Sequence, residues 1–152
     1  MWRLCLGTSA LALAAAVTFA QAFNFTIGSP VAAQDGRAKQ SAFVFRTEGC
    51  ADTAKLHVDG TAEGLVQGAR RSVPLRLALM STPGVYAVYQ TWPAEGDWVV
   101  NLHGTCADAS AGAVIPLRSN TFVRASSKFF PRPATAAEVD AALQTLSQGR
   151  DQ

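Results

Sequence analysis

Charged side chains are scarce in this sequence. Lysine, arginine, aspartate and glutamate make up 16% of the 152 residues, and the formal net charge is only +2. Binding to nucleic acid relies on clustered cations that displace counterions from the phosphate backbone, and the basic pair Arg70-Arg71 is too short to form such a cluster. We therefore predict no nucleic-acid partner. The hydrophobic content of 49% predicts a chain that folds around a core.

Catalytic motifs are missing as well. The sequence contains no G-x-S-x-G, no H-E-x-x-H and no glycine loop of the kind that binds phosphate. Glu95 and Asp97 lie close together, but they fall between two predicted strands, where a solvated turn is the commoner role of acidic residues. We predict that the protein is not an enzyme and needs no cofactor. A hydrolase with an unrecognised site is the remaining catalytic alternative.

Long apolar runs are absent except at the N-terminus. Arg3 is followed by an uncharged run over residues 4–19, and Ala20-Gln21-Ala22 matches the small-residue pattern of signal-peptidase sites. The run is shorter than the ~20 residues that cross a bilayer comfortably. Residues 1–22 are therefore predicted to be a cleaved signal peptide, and the protein to be periplasmic or secreted with no membrane span after cleavage. Two alternatives stay open: cleavage after Ala33, and retention of the segment as an anchor.

Only three cysteines occur, and Cys5 belongs to the predicted signal peptide. Cys50 and Cys106 remain, an even number in an oxidising compartment, which predicts one disulfide. Cys50 follows the first predicted strand and Cys106 the fifth. In an antiparallel sandwich these two strands run in the same direction, so both cysteines reach the same pole. A metal site on His103 and Cys106 is the alternative, although structural zinc needs four ligands.

Apolar side chains alternate with polar ones between residues 41 and 130, as strands with one buried face require. In Leu56-His57-Val58-Asp59, for example, Leu56 and Val58 are predicted to point inward. Residues 23–40 are small or turn-forming and predict a flexible lead-in. Strands are predicted to include residues 43–46, 56–59, 73–80, 85–92, 98–103, 113–117 and 121–124. Six or seven such strands without helices between them indicate an all-β, immunoglobulin-like antiparallel β-sandwich.

The chain changes character after Phe130. Thr135-Ala136-Ala137-Glu138 matches a capping box, in which the side chains of residues 135 and 138 each bind the other's backbone amide. Apolar residues then recur at helical spacing: Val139, Ala142, Leu143 and Leu146. We predict a short helix over residues 134–147 that packs on the sandwich.

Two aromatic strands between residues 83 and 102 are joined by a short loop and predict a hairpin. In this hairpin Gly84 and Gly96 are expected to adopt turn geometry, and Tyr86 and Trp98 to pack between the sheets. The motifs Pro83-Gly84-Val85-Tyr86 and Gly96-Asp97-Trp98-Val99-Val100-Asn101-Leu102 resemble those of bacterial exported immunoglobulin-like domains of the YtkA-like and FixH-like kind. The resemblance implies an exported sandwich domain.

Some relatives of that group handle copper, and copper sites favour thioether and imidazole ligands. The resemblance therefore implies a periplasmic metal-binding or delivery protein as an alternative, with His57, Met80 and His103 as its ligands. Both histidines fall on the polar side of their strands, where an exposed histidine without a metal is the simpler interpretation.

Our favoured prediction is an exported, non-enzymatic binding or interaction module with an unknown protein or small-molecule partner. The candidate contact residues are Arg70 and Arg71, which follow a turn-rich stretch, and Trp92, which lies beside Pro93 at a strand end and is expected to be exposed.

Overall fold

A computed structural model describes residues 22–30 and 35–149, and these form an antiparallel β-sandwich. Sheet A contains four strands in the order β1-β2-β6-β5, and sheet B contains β10-β8-β7-β3-β4 with β9 also paired to β8. The strands of sheet A are β1 Asn24–Gly28, β2 Phe43–Glu48, β5 Arg76–Leu79 and β6 Val85–Tyr89. The strands of sheet B are β3 Leu56–Val66, β4 Ala69–Pro74, β7 Asp97–Cys106, β8 Ala109–Arg118, β9 Thr121–Phe122 and β10 Lys128–Phe130.

This strand order confirms the predicted fold class. In immunoglobulin lettering, β1-β2-β6-β5 corresponds to A-B-E-D and β8-β7-β3-β4 to G-F-C-C′. The core lies between the sheets and is filled by alternate residues, among them Phe43, Phe45, Val100, Leu102 and Ile115. The predicted inward face of β7 is confirmed, since Trp98, Val100 and Leu102 are all buried.

A helical segment covers part of the outer face of each sheet. Helix α1, Ala136–Gln148, packs Val139, Ala142, Leu143 and Leu146 against Val99 and Val114 of sheet B. The predicted capping box is formed by Thr135 and Glu138. On sheet A, a short 3₁₀ helix at Gly36–Gln40 places the fully buried Ala38 against Met80 and Ala87. No helix within the described residues is long and apolar enough to cross a bilayer.

The two cysteines beyond Cys5 form the predicted disulfide. Cys50 follows β2 in sheet A and Cys106 ends β7 in sheet B, and their sulfurs are 2.02 Å apart. The bond therefore joins the two sheets at one pole of the sandwich. Both cysteines pack against the main core.

The prediction of a flexible lead-in over residues 23–40 is wrong for most of the described part of that stretch. Residues 24–28 form β1, which pairs with β2 along its whole length. Phe23, Phe25 and Ile27 enter the core, and each is 5% exposed or less. Their alternation is the signal of a half-buried strand. The turn-forming Gly28-Ser29-Pro30 ends the strand rather than indicating a loop throughout.

The predicted hairpin between residues 83 and 102 is also wrong. β6 pairs with β2 and β5 in sheet A, whereas β7 pairs with β3 and β8 in sheet B. The connecting residues cross between the sheets. The local roles are nonetheless as expected: Gly84 and Gly96 have positive φ angles of 74° and 92°, Trp98 is buried, and Tyr86 stacks on Phe45.

The predicted strand over residues 73–80 is instead divided between the sheets. β4 is an edge strand of sheet B and ends at Pro74, and β5 is an edge strand of sheet A and begins at Arg76. Leu75 lies at the crossing, and its amide donates to the Gly60 carbonyl oxygen over 3.0 Å. Pro74 has no amide proton, so an edge position suits it.

The capping box makes helix α1 sensitive to acid. Hydrogen bonds from Arg132, and from the amide and hydroxyl of Thr135, lower the pKa of Glu138 to about 2 from an ordinary 4.5. A depressed carboxyl pKa stabilises the fold above the unfolded value, and this contribution is lost as the pH falls through the folded value. We expect Glu138→Gln to melt at a lower temperature than wild type at pH 7.

The difference in melting temperature should shrink below pH 4.5 and vanish near pH 2, as thermal melts followed by circular dichroism would measure. Glu95→Gln, in an exposed loop, serves as the control. A Glu138→Gln deficit that persists unchanged to pH 2 would contradict this assignment.

Candidate functional site

A cleft of about 650 Å³ lies on the outer face of sheet A. Its base is formed by the outward-facing side of β1 and β2, and one wall by the turn after β5. The lining residues are Thr26, Ile27, Gly28, Ser29, Asp35, Val44, Phe45, Arg46, Met80, Ser81, Thr82 and Val85. Among the residues with described positions, the 3₁₀ helix covers one half of the outer face of sheet A and the cleft occupies the other.

The strand register explains why this half of the sheet has a mixed surface. Thr26 lies opposite Arg46, and Arg46 lies opposite Val85, so the three side chains cross the outer face in one row. Val44 is two residues before Arg46 on the same face. Val44, Met80 and Val85 belong to one apolar cluster and supply the floor, while hydroxyl and charged groups supply the rim.

Asp35 is a fixed part of the rim. Its carboxylate accepts hydrogen bonds from the Arg37 guanidinium at 2.7 Å and from the Ser81 hydroxyl at 2.8 Å. These contacts, the bonds from Arg37 above all, hold the pKa of Asp35 well below its usual range. The carboxylate stays ionised, and its charge is matched by Arg37. Because Ser81 follows β5, the same bonds tie the 3₁₀ helix to the wall of the cleft.

Arg46 is the cation of the cleft. Its side chain is exposed at the centre of the row, and none of the ion pairs formed among the described residues includes it. The neighbouring Glu48 is engaged by Thr26, whose hydroxyl donates to it over 3.2 Å. Guanidinium donors such as these match a carboxylate in geometry.

The predicted contact residues lie elsewhere. Arg70, on β4, pairs with Glu63 on β3 and with Asp140 on α1, which fastens the helix to sheet B. Arg71 is exposed at the edge of sheet B. Trp92 was expected to be exposed but is buried, at 3% exposure, and its indole nitrogen donates to the Asn120 side-chain oxygen. It fills the core where the chain crosses between the sheets.

The three predicted metal ligands are not brought together. His57 and His103 do share the outer face of sheet B on neighbouring strands, and His103 lies opposite Asp59 with 3.6 Å between the imidazole nitrogen and the carboxylate. Met80 is buried beneath the 3₁₀ helix of sheet A. Among the residues with a described position, no group of three or more histidine, cysteine or acidic side chains could hold a metal ion.

A second, smaller cavity of about 230 Å³ separates the C-terminal half of α1 from sheet B. Its lining includes the polar residues Arg118, Ser126, Lys128 and Thr145 and the apolar residues Ala142 and Leu146. Its volume is below the range of about 300–1,000 Å³ that is usual for ligand sites. We therefore take the larger cleft as the candidate functional site.

Sequence reasoning did not identify the cleft. Its two charged side chains, Asp35 and Arg46, are eleven residues apart in the sequence and belong to no recognisable motif. The available signal was the outward phase of β2, which places Val44 and Arg46 on one face. Only the burial of β1 and the position of the 3₁₀ helix turn that face into a cavity.

Comparisons with protein-family models, with curated proteins and with solved structures found no match for this chain.

Proposed function

We propose that the protein is an exported, non-enzymatic binding module that holds a small organic anion in the cleft on sheet A. The observation that carries the proposal is Arg46, which is exposed above an apolar floor and forms no ion pair with any residue whose position is described. A ligand with a carboxylate on a short apolar body matches both features, because the carboxylate meets the guanidinium and the body covers Val44 and Val85.

The size of the cleft supports a small ligand. A volume of about 650 Å³ lies within the usual range of about 300–1,000 Å³ for such sites. The hydroxyl groups of Thr26 and Thr82 add polar contacts at the rim. The negative charge of Asp35 at the rim is balanced by its ion pair with Arg37.

The positions of the histidines favour a binding module over the hydrolase alternative. His57 lies on β3 and His103 on β7, so both are in sheet B, on the opposite side of the sandwich from the cleft. The pair formed by His103 and Asp59 stands on an open sheet face, with the Asp59 side chain 80% exposed. A catalytic pair needs a cavity that positions a substrate beside it.

The disulfide supports export. A bond between Cys50 and Cys106 persists in oxidising compartments such as the periplasm and is rare in a reducing cytosol. The N-terminal segment, with its charged start and apolar run, has the pattern of a secretory signal. The resemblance to YtkA-like and FixH-like domains, which are exported, also supports an exported location.

The binding proposal can be tested with hexanoate and its neutral analogue hexanamide. Each compound is titrated into isotope-labelled protein that begins at Phe23, and backbone amide shifts are recorded. We expect hexanoate to shift the amides of Thr26, Val44 and Arg46 and to bind more tightly than hexanamide. Arg46→Gln should weaken hexanoate binding roughly tenfold through loss of a charge-assisted hydrogen bond, and leave hexanamide unaffected.

Arg71→Gln is the matched control, since Arg71 is also an exposed strand arginine but lies on sheet B. It should bind both compounds as wild type does. Shifts confined to sheet B, or equal hexanoate binding by the Arg46→Gln variant, would argue against the cleft as the ligand site.

A further inference from the structure

The peptide bond between Ala22 and Phe23 lies at the exact boundary between exposed and buried chain. Ala22 is exposed, whereas Phe23 is 5% exposed. The Phe23 ring contacts the Phe25 ring edge-on, with 5.8 Å between centroids. Both rings lie over Gly104 of β7, where an added Cβ would stand 2.6 Å from Phe25 and 3.1 Å from Phe23. The Phe23 side chain therefore packs against residues of both sheets, Phe25 in sheet A and Gly104 in sheet B.

The backbone on either side of this bond is engaged as well. The side-chain amide of Asn24 donates to the Ala22 carbonyl oxygen over 3.0 Å. Asn24 is already the first residue of β1 and is paired with Glu48. A little further along, the Ile27 carbonyl oxygen accepts a hydrogen bond from Arg124 at 2.6 Å. The segment that follows Ala22 is therefore fixed in place by two neighbouring strands and an arginine.

These contacts decide between the two small-residue sites in the sequence. Cleavage after Ala33, which lies outside the described residues, would remove the whole of β1 and its three core side chains. Cleavage after Ala22 leaves β1 intact and begins the chain one residue before it. Of the two sites, only the one at Ala22 leaves the folded domain with all of β1.

We propose that the Ala22–Phe23 bond is a signal-peptidase site which the docking of β1 closes, so that cleavage and folding compete for the same residues. A protease binds its substrate as extended chain on both sides of the bond that it cuts. In the folded domain the residue after the bond is in the core, and the carbonyl oxygen before it is bound by Asn24. The proposal rests on export, the first half of the proposed function, and is independent of the ligand.

The step itself is a hydrolysis. One water molecule is consumed, and the bond from the Ala22 carbonyl carbon to the Phe23 nitrogen breaks. Ala22 takes the water oxygen and becomes a C-terminal carboxylate, and Phe23 takes a proton and becomes a free α-amino group. No oxidant, reductant or other co-reactant is needed.

The competition between cleavage and folding yields two forms of the protein, one cleaved after Ala22 and one uncleaved. A chain that is cut before β1 docks is released with Phe23 as its first residue. A chain that completes sheet A first keeps residues 1–22, because the bond opens only when β1 detaches. Local opening of a docked strand is an equilibrium that reduces the rate of any cleavage requiring the open state.

The test uses the full 152-residue chain, folded and oxidised in detergent, with purified bacterial signal peptidase. It is compared with a variant that carries Gly-Ser-Gly-Ser inserted between Ala20-Gln21-Ala22 and Phe23, which moves the bond clear of the core. We expect the inserted variant to be cut on the order of 100-fold faster than the folded wild type. Phe25→Ala, which loosens β1, should fall between the two.

Intact mass identifies the cut. A product of the wild-type chain that begins at Phe23 is the expected result, and Ala33→Leu should not change it. Equal cleavage rates for the wild type and the inserted variant would overturn the competition. Cleavage after Ala33 would overturn the site at Ala22 but not export, because a signal peptidase would still have cut the chain. No cleavage of the inserted variant would overturn both the site and the export proposal, while the hexanoate titration would stand unaffected.

Discussion

A chain that begins at Gln34 is expected to lose cooperative unfolding, whereas a chain that begins at Phe23 keeps it. The shorter chain lacks β1 and with it Phe23, Phe25 and Ile27, each 5% exposed or less. Burial of one such side chain contributes about 1.5–3 kcal/mol, so the three together reach about 4.5–9 kcal/mol. This is comparable to the whole stability of about 5–15 kcal/mol that small domains have. Urea denaturation followed by tryptophan fluorescence would measure the loss.

Two point variants separate the side-chain contribution from the loss of backbone pairing. Phe25→Ala keeps the strand and should lower the free energy of unfolding by about 3–5 kcal/mol. Thr26→Ala, on the exposed face of the same strand, should change it by no more than about 0.5 kcal/mol. If the chain from Gln34 unfolds at the urea concentration of the longer one, β1 is not part of the core.

Removal of the disulfide has the second large effect. Cys50→Ala with Cys106→Ala opens a connection with a sequence separation of 56 residues. In the chain-entropy model, closure of such a loop stabilises the fold by about 4 kcal/mol. We expect the double variant to unfold at a clearly lower guanidinium concentration than the oxidised protein, because its unfolded chain is no longer constrained. The slope of the transition should rise, since the unfolded chain exposes more surface.

A reductant provides the control for the disulfide. The wild-type protein in dithiothreitol should unfold near the midpoint of the double variant, and the double variant should not respond to dithiothreitol. A double variant as stable as the oxidised wild type would mean that the bond does not constrain the unfolded ensemble. A loss of stability in reducing conditions would agree with the proposed export to an oxidising compartment.

Alternation along the chain was sufficient to predict the fold class and most buried faces. Trp98, Val100 and Leu102 are apolar at every second position, and this period is that of a β-strand with one buried face. The cysteine pairing followed from the even number of cysteines expected in an oxidising compartment and from the direction of the predicted strands. The helix cap was predictable because Thr135 and Glu138 act locally.

Pairing partners could not be predicted from alternation, because period two places a side chain inward without saying in which sheet. This is why residues 85–102 read as a hairpin although β6 and β7 lie in different sheets. The same ambiguity merged β4 and β5 into one strand. Trp92 was misplaced for a related reason, since it packs among core residues and binds Asn120, most of them distant in sequence.

The cleft was the hardest feature to predict because no single segment encodes it. Arg46 is an ordinary outward residue of β2 until the burial of Phe25 and Ile27 sets β1 beside it. Asp35 belongs to a stretch rich in small residues, and its bond to Ser81 closes a contact across 46 positions. Concave sites of this kind arise from packing among several elements.

The crossing at Leu75 has a consequence for self-association. One continuous stretch of chain supplies the outermost strand of both sheets on this flank, so neither margin presents a long, flat row of unpaired amide groups. The row is broken at Pro74, and arginines stand on both sides of it, at positions 70, 71 and 76. Short, charged, proline-interrupted margins resist the addition of strands from other molecules. We therefore expect this edge of the domain to resist strand pairing between molecules, and so aggregation, at high protein concentration.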